Sequence, residues 1–230
     1  MEPEATTLAE RLAAVRAGIA DACTAAGRRV DEIELIAVTK FHPASLVRDL
    51  HALGQTRFGE NRHPEARDKA LATRDLEGAV WHFIGQVQTN KARQIGRYVD
   101  VLQSIDRPAL VDALATLERE TPLEVFVQLN LTDDPARGGV APAEAEALVE
   151  HVLRTPVLRM RGLMAVAPLE GDPEAAFARV RETGERIRRI APDATALSMG
   201  MSGDYRPAIS QGATHLRIGA AITGKRPDRP

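Results

Sequence analysis

Lys40 closes the apolar run Leu35-Ile36-Ala37-Val38, and Arg217 stands directly before the small residues Gly219, Ala220 and Ala221. An ammonium at the end of such a run is costly to bury, so it either pairs or loses its proton. A constrained, deprotonated amine is the nucleophile that Schiff-base chemistry requires. The competing reading is a surface lysine just past a strand. The bare backbone after Arg217 lets an anion come close to main-chain N–H groups at a helix start. A second bare stretch, "SMGMSGD", adds Gly200, Ser202 and Gly203, which offer a hydroxyl and further N–H groups. Together the two stretches suit a phosphate. Their alternative is a tight turn followed by a small-residue helix packed on its neighbours.

The elements that must position these groups alternate along the chain. A first helix is signalled by the capping box Thr7/Glu10, then by Leu8, Leu12, Val15 and Ile19 at helical spacing, with Gly27 as its stop. Strand patterns follow at 34–39, 57–59, 80–84, 99–104, 123–129, 158–165, 195–198 and 215–218. Helical patterns lie between them at 44–53, 64–72, 90–98, 108–120, 142–154, 173–190 and 204–211. Strands alternating with helices predict an α/β fold with a parallel sheet. Closing eight of them gives a TIM-type (β/α)8 barrel with an extra N-terminal helix. An open doubly wound sheet would carry a glycine-rich fingerprint after the first strand, and "AVTKFHP" has none. No repeat or long linker interrupts the pattern, so residues 1–230 read as one domain. Barrels place their chemistry at the C-terminal strand ends. Those ends carry Lys40, Glu60 with Asn61, His82, Ser104 with Asp106, Asn130, Met164, Ser198 with Ser202, and Arg217.

Composition removes several classes of function. A net charge of -2 gives no long-range attraction to nucleic acid or anionic membrane. One cysteine, Cys23, permits no intrachain disulfide and no cysteine-rich metal site. The start "MEPEATTLAE" is acidic and lacks the basic-then-apolar order of a leader, and no apolar run has the length of a membrane span. The cytoplasm is the expected location. Aromatics make up 3% of the chain, so aliphatic residues must build the core.

A lysine ending strand one, with a phosphate cradle after strands seven and eight, resembles the pyridoxal-phosphate homeostasis proteins. These are single barrels related to the N-terminal domain of alanine racemase. The matching blocks are "LIAVTK", "FGEN", "WHFIGQVQTNKAR", "GLMAVAP", "LSMGMSGDYRPAI" and "GATHLRIGAAITGKR", spread over nearly the whole chain. The resemblance implies pyridoxal 5'-phosphate as cofactor, held by Lys40 as an aldimine. It implies Ser202 and the backbone of Gly219 and Ala220 as phosphate ligands, and Arg217 as partner of the pyridine nitrogen. It implies that Asn61 and His82 line the ring, with Met199 and Met201 shaping the pocket. Four places depart from the family pattern: His63-Pro64 follow "GEN", Ala220 stands where a hydroxyl is common, Thr223 where an aromatic is common, and Arg137 in "ARGGV" where lysine is usual.

A guanidinium only donates, so at the pyridine nitrogen it favours the unprotonated ring, a weak electron sink. Racemases with such an arginine add a second acid–base tyrosine. Here only Tyr98 and Tyr205 exist, and Tyr205 lies just past the phosphate loop. The expectation is therefore a non-catalytic monomeric carrier in vitamin B6 homeostasis, without metal, which buffers the cofactor or delivers it to apo-enzymes that use it. The alternatives are a small amino-acid racemase on the same cofactor and, more distantly, a phosphosugar aldolase barrel.

Overall fold

The computed structural model describes residues 6–132 and 134–225. Residues 1–5, half of the acidic start, lie outside them. Helix α1 (Leu8–Ala25) opens with the expected capping box. Thr7 Oγ1 accepts the Glu10 N–H (3.2 Å) and the Glu10 carboxylate accepts the Thr7 N–H (2.7 Å). There follow β1 (Glu34–Val38), α2 (Ala44–Ala52), β2 (Arg57–Glu60), α3 (His63–Ala72), β3 (Val80–Phe83) and α4 (Ala92–Gly96). Then come β4 (Val101–Ile105), α5 (Pro108–Leu114), β5 (Leu123–Leu129), α6 (Ala145–Leu153), β6 (Leu158–Ala165) and α7 (Pro173–Ile187). The chain continues through β7 (Ala196–Ser198), α8 (Tyr205–Ser210), β8 (His215–Ile218) and α9 (Ala220–Thr223).

The eight strands are parallel and close into a barrel in sequence order, β1 pairing both β2 and β8. The expected (β/α)8 barrel with a leading helix is thus the observed fold. Alternation along each strand sorts side chains to two sides. Val101, Phe126, Met164 and Ala196 pack together as one small cluster inside the barrel. Ala37, Phe58, Trp81, Leu102, Val125, Leu163 and Leu216 join the larger core under the helices.

Several helical patterns are longer in the sequence than in the fold, that at 173–190 ending at Ile187. The 90–98 pattern splits into a 3-10 turn (Thr89–Lys91) and the short α4. Helix α5 stops at Leu114, not 120. The Arg119 guanidinium turns back to the carbonyls of Gly96 and Val99, so this segment caps the end of α4 instead of extending α5. Helix α6 starts at Ala145, after a turn that the pattern at 142 did not separate.

Candidate functional site

The pairing of β7, β8 and β1 brings the cation-bearing and bare segments to one mouth. Ala37 lies opposite Ile218, which sets Gly219 beside Val38 and two residues from Lys40. The Arg217 N–H donates to the Gly200 carbonyl (3.0 Å), tying the loop after β7 to β8. Gly200 adopts φ +95° and is buried, and a Cβ there would meet Ala208 Cβ at 2.6 Å. Only glycine takes this turn without strain. Beyond it Met201, Ser202 and Gly203 are exposed, and the Asp204 carboxylate accepts the Met201 N–H (2.6 Å). Gly219 precedes α9, whose Ala220 and Ala221 N–H groups stand in the first turn, where no intrahelical acceptor exists. Arg11 of α1 donates through Nε to the Ile222 carbonyl (2.8 Å), which fixes α9 from behind.

Arg217 points into the barrel and is 4% exposed. Nη1 donates to Ser198 Oγ (2.6 Å) and Nη2 to the Ala165 carbonyl (2.8 Å), leaving Nε without an acceptor among the described residues. Burial pulls its pKa from 12.5 down to about 10, which still leaves it charged at neutral pH. Lys40 lies in the turn after β1, exposed, its Nζ 5.9 Å from the Phe41 ring centre. It has no hydrogen-bond or ion-pair partner among the described residues.

The segment carrying Lys40 is held by a group that sequence reasoning missed. Lys69 of α3 is 5% exposed and spends all three N–H donors: on the Thr39 carbonyl (2.7 Å), Glu60 Oε1 (2.6 Å) and Glu65 Oε1 (2.7 Å). Thr39 Oγ1 also donates to Glu60 Oε1 (2.7 Å), and the Phe41 N–H donates to Glu65. Phe41 sits at φ +70°, a conformation that costs energy for a side chain of its size. The bracket therefore grips the backbone on both sides of Lys40. Burial raises the Glu60 pKa, and Lys69 opposes that rise. The i,i+4 pair Glu65–Lys69 was the visible signal; its burial was not.

Asn61 lies one residue past β2, and its Oδ1 is buried without a partner among the described residues. His82 and Met199 require correction. Met199 is wholly buried in the core between barrel and helices, because its neighbour Ser198 is the inward-facing residue. It does not line the mouth, whereas Met201 is 37% exposed at the rim. His82 does face inward, but below the mouth. Its Nδ1 bonds Gln103 (3.0 Å), and Nε2 faces Glu34 Oε1 (3.5 Å) at the start of β1. It reaches Arg217 only through Gln103 and Ser198. Burial pushes its pKa well below the ordinary value. Of the other strand-end residues, Ser104 donates to the Gly85 carbonyl (2.5 Å) and Asn130 staples its own loop through Thr132 and Asp134. Neither joins the site.

Neither tyrosine supplies an acid–base group there. The Tyr205 hydroxyl fills the space that a Cβ on Gly18 of α1 would take, so it packs against the outer helix. Tyr98 bonds His63 Nδ1 (3.1 Å) and stacks on its ring at 5.7 Å, and burial raises its pKa. The unusual His63-Pro64 is thereby absorbed as the start of α3, anchored also by Gln94 (3.0 Å to His63 Nε2).

These features define the class: a (β/α)8 barrel whose C-terminal mouth gathers a lysine free of hydrogen bonds and ion pairs among the described residues, a buried arginine and a bare cradle. The family described as "Alanine racemase, N-terminal domain" matches residues 11–227. The chain is 39% identical to the pyridoxal phosphate homeostasis protein of Mycobacterium leprae, over 94% of this chain and 92% of that one. It is 40% identical to the protein of that name from Pseudomonas aeruginosa, over 96% of each. The solved structure of PipY from Synechococcus elongatus with PLP bound is 34% identical, with TM-score 0.82 over 95% of this chain and all of that one. The chain belongs to the alanine racemase N-terminal domain family, among the pyridoxal phosphate homeostasis proteins.

Proposed function

We propose that this chain is a pyridoxal 5'-phosphate carrier: one barrel domain that holds the cofactor at its C-terminal mouth, with Lys40 as the point of covalent attachment, and that buffers it or delivers it to apo-enzymes without transforming amino acids. PLP bound in PipY and the naming of the relatives support the cofactor. The residues present fit it. The mouth offers the Ser202 hydroxyl and, without hydrogen-bond partners among the described residues, the first-turn N–H groups of Ala220 and Ala221, the Lys40 amine, the Arg217 Nε donor and the buried Asn61 Oδ1. Bound pyridoxal 5'-phosphate supplies an aldehyde and an electron-accepting ring. Ser202, Gly219 and Ala220 would bind its phosphate, and Asn61 would lie at the ring. Arg217 would hold the pyridine nitrogen by donation and deny it a proton, which keeps the ring a weak sink. The Lys69 bracket orients the segment from which Lys40 acts. Cytoplasmic residence fits a chain whose one cysteine is buried and unpaired.

One observation carries the non-catalytic reading. Tyr205, the candidate second base, is packed against Gly18 of α1, and Tyr98 is packed against His63. Neither tyrosine is then placed beside Lys40 as a second proton-transfer group. The test is borohydride reduction of the cofactor-loaded protein with peptide mapping, followed by incubation of unreduced protein with single amino acids in deuterated buffer. The expected adduct is on Lys40, with little deuterium at Cα. Adduct only on Lys69, Lys91 or Lys225 would refute the attachment. Exchange at ordinary enzyme rates of about 1–1000 per second would replace the carrier by a racemase.

A further inference from the structure

Arg217 has no carboxylate within ion-pair distance among the described residues. Its Nη1 donates to Ser198 Oγ (2.6 Å), which donates to Gln103 Oε1 (2.7 Å); Gln103 Nε2 meets His82 Nδ1 (3.0 Å). The four residues come from β8, β7, β4 and β3, so the chain of bonds crosses the barrel interior. Ser198 and Gln103 are wholly buried and His82 is 1% exposed.

The direction of every bond follows from the first. A guanidinium has no acceptor, so Ser198 Oγ must accept from it. The hydroxyl proton then needs another acceptor, and Gln103 Oε1 is within reach. Turning the Gln103 amide over would aim two donors at Ser198 and strand its proton. Gln103 therefore presents Nε2 to His82, and Nδ1 must accept. The imidazole proton then sits on Nε2, which makes no hydrogen bond among the described residues and lies 3.5 Å from Glu34 Oε1. The charged and titratable groups around His82 are Glu34 on β1, Arg57 on β2 and His215 on β8.

We propose that Gln103 and His82 are positioning residues for Arg217: a one-way hydrogen-bond chain fixes the guanidinium at the mouth and holds His82 as the neutral Nε2–H tautomer. The chain does this without a carboxylate in ion-pair contact with the arginine among the described residues, Asp204 acting on it only from a distance. An adjacent carboxylate would compete for the donor that the cofactor reading assigns to the pyridine nitrogen. Within the chain all three bonds are made in this direction, and reversing any of them leaves a further buried group unpaired, beyond His82 Nε2, which makes no hydrogen bond in either case among the described residues. The link to cofactor binding rests on the function proposed above; the tautomer does not.

Two measurements test it. Long-range 1H–15N spectra of the labelled, cofactor-free protein at pH 7, with His82 assigned by its loss in His82→Asn, should show a neutral ring protonated on Nε2. A ring protonated on Nδ1, or charged, would overturn the proposal whether or not the protein binds the cofactor. Gln103→Leu should raise the dissociation constant of pyridoxal 5'-phosphate by about five- to tenfold, the scale of one net hydrogen bond. The double variant with Ser198→Ala should cost no more than the larger single change, since both break one chain. Unchanged affinity, or additive losses, would remove the positioning role. Should the leucine variant not fold, Gln103→Glu keeps the volume but offers only acceptors. It should put a proton on His82 Nδ1, and a ring in that variant still neutral with its proton on Nε2 alone would count against the chain.

Discussion

In the proposed cradle Ser202 brings a hydroxyl, and Ala220 offers none. Ser202→Ala should weaken pyridoxal 5'-phosphate binding by about 1.5–3 kcal/mol, the range for a hydrogen bond to a charged group. Titration of the apo-protein checks this, and unphosphorylated pyridoxal should bind wild type and variant alike. Lys69 makes the opposite kind of contribution, since it touches no ligand. Its removal leaves Glu60, 1% exposed, with a buried carboxylate and no cation. Lys69→Met should cost roughly 3–5 kcal/mol in urea unfolding, the scale for breaking one side of a buried ion pair. The yield of borohydride-trapped Lys40 should fall with it, because the Thr39 carbonyl loses its anchor.

At the scale of elements, the loop between β7 and α8 depends on its first glycine. Gly200→Ala would force a side chain into φ +95° and against Ala208 Cβ (2.6 Å) and Leu216 Cδ2 (2.9 Å). The expected cost is about 2–4 kcal/mol, from backbone strain plus overpacking. The cradle should loosen in parallel, because the Gly200 carbonyl is where the loop is tied to Arg217 N–H. Thermal unfolding and cofactor titration of the same variant read the two effects. The sequence disclosed this loop through its glycines and the helix α1 through Thr7 and Glu10, both local signals. It disclosed α4 and α5 poorly, because the contact that ends them, Arg119 to Gly96 and Val99, spans more than a helical turn of sequence.

The whole barrel carries two buried histidines at the mouth opposite the cradle. His215 is held neutral, its pKa pulled to about 4 by burial against the opposing pull of Glu34, and burial lowers the pKa of His82 in the same way. The unfolded chain takes up a proton near pH 6.5 that the fold refuses until about pH 4. The unfolded state thus binds more protons in this window, and stability falls as pH drops through it. His215 alone should account for roughly 3 kcal/mol between pH 6.5 and 4, at about 1.4 kcal/mol for each pH unit crossed. Urea midpoints across that range should decline. His215→Phe, if it folds, should flatten the slope; an unchanged slope in that variant would assign the pH dependence elsewhere.

The sequence by itself determined the alternation of strands and helices, the capped first helix, the bare cradle after Gly200 and Arg217, and the family. Each is written in neighbouring residues or in contiguous motifs. Tertiary structure decided what faces what. The side of the sheet on which a residue falls depends on register and barrel closure, so Met199 went to the outer core while Ser198 and Gln103, 95 residues apart, met inside the barrel. Tyr205 lies against α1 because α8 packs there, which no spacing within "GDYRPAI" encodes. Lys69 sits under Lys40 for the same reason: a helix and two strand ends converge on it, and burial of a charge is a property of the folded neighbourhood and not of the chain.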